Sequence, residues 1–439
     1  MSFAPAPGRS TSRWWVLSLS TVAFTLMFNV WLMLGVLAPR IKETMGLSPS
    51  QVEWMIAASI LSGAILRLNF GIWSDRHGGR NVMIALMLLT TVPTYLFSRA
   101  TTYAEMMACA LFFGLAGNSF SVGISWNSAW FPPDRKGFAL GTFGAGNVGA
   151  SGTKLLVGLF PAVLTAVPAA GLLGGLIPGG WRIIPALYTV LLLILVVVII
   201  ALAPSPDPMP GRGRRMGEML APLRHMRVWR FSLYYVVVFG AYVALSGWLP
   251  TFYKDTYGVS LRAAALLTAT YILPASLLRP FGGWLSDRYG PRGVTYAVFV
   301  AMAMALVALS VPYRTYWGVP YRLGPGTFAT LMFVVGCGMG IGKASVYKYI
   351  PDYFPDDVGA VGGLVGMLGA LGGFFMPPAF GALGRSTGVP QMAFLSLLGL
   401  TLWCLGWLHL TVLRINRAAQ KDGAGVMSGR AWAIPEASP

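Results

Sequence analysis

The sequence predicts an all-α polytopic membrane protein of twelve transmembrane helices, arranged as two related halves of six. Three observations carry this reading. Hydrophobic residues make up 56% of the 439 residues and charged residues only 10%, which excludes an ordinary soluble globule. Apolar runs of about 18 residues or more recur along the whole length, enough to cross a hydrocarbon core ~30 Å thick. A ten-residue pattern also occurs twice, 212 residues apart: Arg67-Leu-Asn-Phe-Gly71-Ile-Trp-Ser74-Asp75-Arg76 and Arg279-Pro-Phe-Gly-Gly283-Trp-Leu-Ser286-Asp287-Arg288, each followed by a further arginine, Arg80 or Arg292.

In chain order, helix 1 is expected over about Trp14 to Leu37, ended by Pro39. Ser50-Gln-Val-Glu53 reads as a capping box opening helix 2, which carries Arg67. Helix 3 covers about Asn81 to Phe97 and helix 4 about Ala104 to Ala129. Phe131-Pro-Pro-Asp134-Arg-Lys136-Gly137 is a turn, and helix 5 after it is dense in glycine (Gly141, Gly144, Gly146, Gly149, Gly152). Such spacing lets helix backbones approach closely in lipid, so packing alone accounts for most of these glycines. Helix 6 ends near Ala203, and residues 1–203 form the first bundle.

Residues 204–230 carry six arginines and read as a basic cytoplasmic linker whose charge sets topology rather than binding anything. Residues 231–414 form the second bundle: helix 7 (about Phe231 to Leu249), helix 8 (about Leu261 to Leu285, with Arg279), helix 9 (about Val294 to Val311) and helix 10 (about Thr327 to Ile350). Phe354-Pro-Asp-Asp357-Val-Gly359 echoes the turn before helix 5, and Gly363 and Gly366 of helix 11 stand 222 residues after Gly141 and Gly144. Helix 12 ends near Leu413, and residues 415–439 are a basic tail.

The formal charge of +18 is spread over alternate loops, as the positive-inside rule requires, and does not point to nucleic acid. With no cleavable signal, both termini are expected on the cytoplasmic side of the inner (plasma) membrane. Cys109, Cys337 and Cys404 are far apart inside apolar runs; they make no metal or redox pattern, and no cofactor or metal is expected.

If Asp75 and Asp287 mark helix ends, Arg67 and Arg279 lie about 12 Å deeper at ~1.5 Å per residue, near the bilayer midplane. An arginine there costs at least ~2.5–3.5 kcal/mol on insertion scales, so its default meaning is functional. Two such charges call for an anion.

Gly71-Ile-Trp-Ser-Asp75-Arg76-His-Gly78-Gly-Arg80 resembles the cytoplasmic loop motif between helices 2 and 3 of major facilitator transporters, and Gly283 to Arg292 resembles its counterpart after helix 8. The resemblance spans the chain and implies a fold of two six-helix halves, with Asp75, Arg76, Arg80, Asp287 and Arg288 in a gating latch. Gly141-Thr-Phe-Gly144-Ala-Gly146-Asn147-Val-Gly149, with Gly362 to Gly373 in helix 11, is similar to the paired glycine-rich motifs of the nitrate/nitrite porter (NarK/NasA) family. That likeness implies nitrate or nitrite held by Arg67 and Arg279, with Asn147 and aromatic walls matching Phe28, Phe120, Tyr235 and Phe239. Because glycines permit close sliding contact, helices 5 and 11 are expected to move at Gly144 and Gly366 during gating. Each aromatic taken alone is equally explained by packing or lipid contact. Guanidinium independently suits a planar oxyanion, being a planar fork that holds its charge.

The family has proton-coupled uptake and nitrate/nitrite exchange. Ala129-Trp-Phe-Pro, Gly144-Ala-Gly-Asn147 and Gly342-Lys343-Ala-Ser-Val-Tyr-Lys348 resemble the symporter branch. No Asp, Glu or His falls in an expected helix core, so protons would have to use Lys343 or Lys154. Lys154 could equally snorkel, and Lys343 could equally serve as a helix-end cation. The expected function is thus uptake of nitrate by alternating access, by proton symport or, alternatively, exchange with nitrite, with a monomer in the lipid bilayer as the working unit. A carrier for another small anion such as an organic phosphate, a nitrate-binding membrane sensor and a channel fit less well. A sensor would need a soluble signalling domain, and a channel does not need paired halves around one charge pair.

Overall fold

The computed structural model describes residues 9–168, 171–317 and 319–421. The chain opens with α1 (Arg9–Leu32) and α2 (Leu34–Met45), a single span jointed at Met33. Pro39 does not end this helix, contrary to the sequence reading. A proline inside a helix removes the one bond its missing N–H would have made to the carbonyl four residues back, and the helix runs on to Gly46, whose φ of 62° supplies the left-handed stop.

Next come α3 (Pro49–Ile65) and α4 (Arg67–His77), a broken span bent by 40°. The capping box lies two residues earlier than expected, on Ser48 and Gln51, because Pro49 is pre-set for the first helical position. They are followed by α5 (Gly79–Arg99), then α6 (Tyr103–Phe113) and α7 (Ser119–Trp130), joined through a 3₁₀ segment into one span. Next, α8 (Lys136–Gly144) passes through the 3₁₀ segment Ala145–Ser151 into α9 (Gly152–Leu159), and α10 (Ile183–Leu202) leads to the linker helix α11 (Met216–Leu220).

In the second repeat, α12 (Met226–Tyr235) and α13 (Ala241–Tyr257) are joined by a π-turn, Val236–Gly240. α14 (Leu261–Leu277) and α15 (Arg279–Tyr289) are again bent by 40°. α16 (Pro291–Ser310), a short hairpin of β1 (Arg314–Tyr316) and β2 (Val319–Tyr321), α17 (Pro325–Tyr353), α18 (Val358–Thr387) and α19 (Met392–Lys421) complete the fold. Among the described residues nine helices are long and apolar enough to span a membrane, and the two bent pairs make eleven. The interrupted pair α8 and α9 falls outside that count. The 3₁₀ stretch runs through Gly146 and Gly149, where a side chain would strike α1 at Thr25 and Phe28; that close approach takes the place of regular helix.

Two compact units divide the chain. Unit 1 comprises the residues up to Phe131, Phe143–Pro222 and Asp356–Met367; unit 2 comprises Pro132–Thr142, Leu223–Pro355 and the residues from Leu368. The aromatic core of unit 1 contains Phe24, Phe28, Trp31, Phe97 and Trp126, and that of unit 2 Tyr234, Tyr235, Tyr253, Tyr271 and Tyr347, all fully buried.

Candidate functional site

In unit 1, Arg67 is the first residue after the helix break and is completely buried. Breaking the helix at Leu66 frees backbone carbonyls there, and the arginine uses them. Its Nε donates to Gly63 O at 3.0 Å and its Nη1 to Gly366 O at 3.1 Å, on the strip of α18 belonging to the same unit. The guanidinium lies 5.2 Å from the Trp31 ring centre and 5.4 Å from that of Phe120. Phe120 continues into a cluster of Phe24, Phe28 and Phe143, with ring centres 4.8–6.0 Å apart. The charge is thus held rigidly against aromatic faces, where low polarity strengthens any ionic contact. Asn147 lies on the 3₁₀ segment packed against α1; it is buried, and neither amide atom has a hydrogen-bond partner among the described residues. A buried unpaired amide is costly, which marks it as a group available to a ligand.

In unit 2, Arg279 is likewise the first residue after its break and completely buried. Gly141 of α8 lies against its backbone, so close that an added Cβ would sit 3.0 Å from the Arg279 carbonyl carbon. Tyr235 and Phe239, spaced by the π-turn, stack at 5.0 Å, and Tyr347 meets Tyr235 edge-on at 4.7 Å. Such π-turns inside helices are frequent at functional sites. Lys343 is fully buried, donating to Ala275 O at 3.0 Å with its Nζ 3.1 Å from the Tyr242 ring centre. The Tyr242 hydroxyl is paired with Ser276 at 3.0 Å. Lys343 and Arg279 are within electrostatic reach of each other, so unit 2 buries two basic side chains beside an aromatic ladder.

The repeated aspartates do the same work in each unit. Asp75 is buried, accepts from Ser125 Oγ, and takes the Gly359 N–H at 2.8 Å in the first turn of α18. Asp287 takes the N–H groups of Gly137 and Phe138 at 2.8 and 2.7 Å in the first turn of α8. Each carboxylate therefore caps a helix N-terminus, where backbone donors and the helix dipole favour negative charge. Asp287 has in addition an ion pair with Lys348 at 3.0 Å, and Lys348 also pairs with Asp352 at 3.2 Å.

Of the remaining predicted residues, Arg80 donates its backbone N–H to Asp207 at 2.8 Å and its Nη2 to Ile200 O at 2.8 Å. Arg76 is half-buried, and exposed Arg288 lies over Trp284 and Tyr289. Gly144 and Gly366 are buried, Gly144 at the entry to the 3₁₀ segment and Gly366 as the acceptor for Arg67. The side chain of Lys154 lies outside the described residues. Sequence reasoning overlooked Trp31, although its spacing from Phe28 puts both on one helix face. The pairing of Lys348 with Asp352 was open to the same i,i+4 argument, whereas Ser125 offers no sequence signal. The linker is not inert, as its composition suggested: Asp207, Arg214 and Met219 each make specific contacts, because a short stretch returning across helix ends meets unsatisfied backbone groups.

The sequence profile of the Major Facilitator Superfamily matches residues 19–319 and again 253–434. A probable nitrate/nitrite antiporter, NarK1, of Thermus thermophilus is 56% identical over 409 residues, covering 91% of this chain and 92% of the relative. The chain is a NarK-type member of the major facilitator superfamily. A probable nitrate/nitrite transporter, NarK2, of Mycobacterium tuberculosis (strain H37Rv) is 34% identical, covering 83% of this chain and 88% of that one. Among solved structures, the facilitator FucP in its outward conformation superposes with a TM-score of 0.70 at 15% identity, over 90% of this chain and 98% of FucP. This NarK-type protein is accordingly a multi-pass membrane transporter with the twelve-helix facilitator fold, and not an enzyme.

Proposed function

We propose that this protein carries nitrate across the inner membrane by alternating access, with Arg67 and Arg279 both holding the anion near the membrane midplane. The observation that carries the reading is the matched pair of arginines, each wholly buried at the first residue after a helix break. Phe28, Phe120, Tyr235 and Phe239 exclude water from a weakly hydrated anion, and Asn147 offers an amide donor. Asp75 and Asp287, with Arg76, Arg80 and Arg288, hold and release α18 and α8 during the cycle, and the working unit is a monomer with both termini cytoplasmic.

Coupling is by proton symport, with Lys343 as the group whose charge changes, since it is the lysine buried within reach of Arg279. A second reading, nitrate/nitrite exchange, is favoured by the likeness to the Thermus relative, a probable nitrate/nitrite antiporter. The test is nitrate uptake into proteoliposomes under an imposed inward proton gradient, without internal nitrate or nitrite. Accumulation abolished by a protonophore supports symport. Uptake only after nitrite or nitrate is preloaded replaces symport with exchange, and no nitrate movement in either format refutes the reading.

A further inference from the structure

The linker between the two repeats is folded onto unit 1 at four points. Asp207 accepts from the indole N–H groups of Trp126 and Trp130 at 2.9 and 2.7 Å and from the Arg80 N–H at 2.8 Å. Four residues on, the Gly211 N–H donates to the backbone carbonyl of Asp75 at 2.9 Å. A Cβ on Gly211 would lie 3.2 Å from the Asp75 Cβ, so the approach depends on glycine. Arg214 then donates to Asp357 at 2.7 Å and to the Asp356 carbonyl at 3.0 Å, in the half-buried approach to α18. Finally Met219 of α11 is fully buried against Ile72 of α4 and Ala360 of α18.

These points are not scattered. The first grips the end of α7 and the start of α5, the second grips the end of α4, and the last two grip the start of α18. Between them lies the cap in which Asp75 holds the Gly359 N–H. A segment that merely set topology would need its charge and not these partners. From this bracketing we infer that the linker stretch Asp207–Leu220 is a clasp that keeps the first turn of α18 docked on α4. It thereby sets how readily this cytoplasmic contact opens. The inference rests on the transport reading only in supposing that the contact opens in each cycle; the clasp itself is a property of the folded chain.

The experiment is hydrogen–deuterium exchange on the full-length protein in nanodiscs, comparing the parent with Arg214→Gln and with Asp207→Ala plus Arg214→Gln. A hydrogen bond to a charged group is worth enough that its loss should speed local opening about tenfold or more. Amides of the α18 first turn, Gly359 to Val361, should exchange about tenfold faster in Arg214→Gln and faster again in the double variant. α19 should be unchanged, and Arg214→Lys should restore part of the protection. Nitrate affinity, read by thermal-shift titration, should stay within about twofold, because a clasp acts on opening and not on the anion. Unaltered exchange across the α18 first turn in the double variant overturns the clasp, as does uniform acceleration that includes α19. Failure of the parent to move nitrate would sink the transport reading and leave the exchange result standing.

Discussion

Replacing Arg67 by lysine isolates geometry from charge. The guanidinium is fixed by bonds to Gly63 O and Gly366 O at 3.0 and 3.1 Å and is flanked by Trp31 and Phe120. With Nε and Nη1 so engaged, its plane is set before an anion arrives. An ammonium keeps the charge but cannot hold two backbone carbonyls and present a fork to a planar oxyanion. The loss is at least one hydrogen bond to a charged group, about 1.5–3 kcal/mol. At ~1.4 kcal/mol per tenfold this lowers nitrate affinity by about 10- to 150-fold. Nitrate titration followed by thermal shift in detergent gives the affinity, and the KM for uptake into proteoliposomes gives an independent value. A monodisperse Arg67→Lys protein binding nitrate within about threefold of the parent would refute the reasoning. If that variant misfolds, Arg279→Lys provides the same comparison in unit 2.

Lys343→Met should abolish nitrate accumulation driven by an imposed proton gradient while nitrate binding persists; an undiminished gradient response would remove Lys343 from coupling. Gly144→Leu and Gly366→Leu, at buried glycines of α8 and α18, should insert normally yet lower turnover about 5- to 150-fold, the cost of overpacking a buried site being about 1–3 kcal/mol; uptake normalised to membrane-inserted protein decides it. For Asp207, burial pushes the carboxyl above its ordinary range, opposed by the donors from Arg80, Trp130 and Trp126. The docked linker therefore binds a proton more readily than the undocked one. Docking is strongest below about pH 4, the ordinary aspartate range, and weakens as pH rises through the elevated value. Exchange protection of residues 204–214, corrected for intrinsic rates, should fall over that interval in the parent and stay flat in Asp207→Asn.

What the sequence disclosed, and what it hid, follows from the range of each interaction. Apolar length and the repeated motif are local signals, and they located the spans and both buried arginines. The helix break at Leu278 did leave a mark, Pro280 in the first turn of α15, which the sequence reading passed over. The break at Leu66 was not legible, since no glycine or proline stands at it and it is stabilised by Arg67 and its partners, one of them 299 residues away. The π-turn between Tyr235 and Phe239 was equally silent, since i+4 and i+5 spacings look alike in an apolar run. The motif singled out Asp75 and Asp287 as latch residues, but their partners are backbone N–H groups, which carry no sequence identity. For the same reason a linker rich in arginine looked like a topology signal until its one aspartate found two indoles.

The strip Asp356–Met367 completes unit 1, and its place in the chain has a consequence for biosynthesis. Asp287 finds its N–H partners in residues that were made 149 and 150 positions earlier. Asp75 must await an amide 284 positions later, and Arg67 a carbonyl 299 later. At ribosomal speeds of about 5–20 residues per second, Arg67 spends about 15–60 s with that partner still unmade. During this interval the nascent protein holds a guanidinium and, at the end of the same helix, a carboxylate, each still short of one partner. Chains released before α18 emerges never escape that condition. They should be preferred substrates of membrane proteases, while chains cut after α18 should survive.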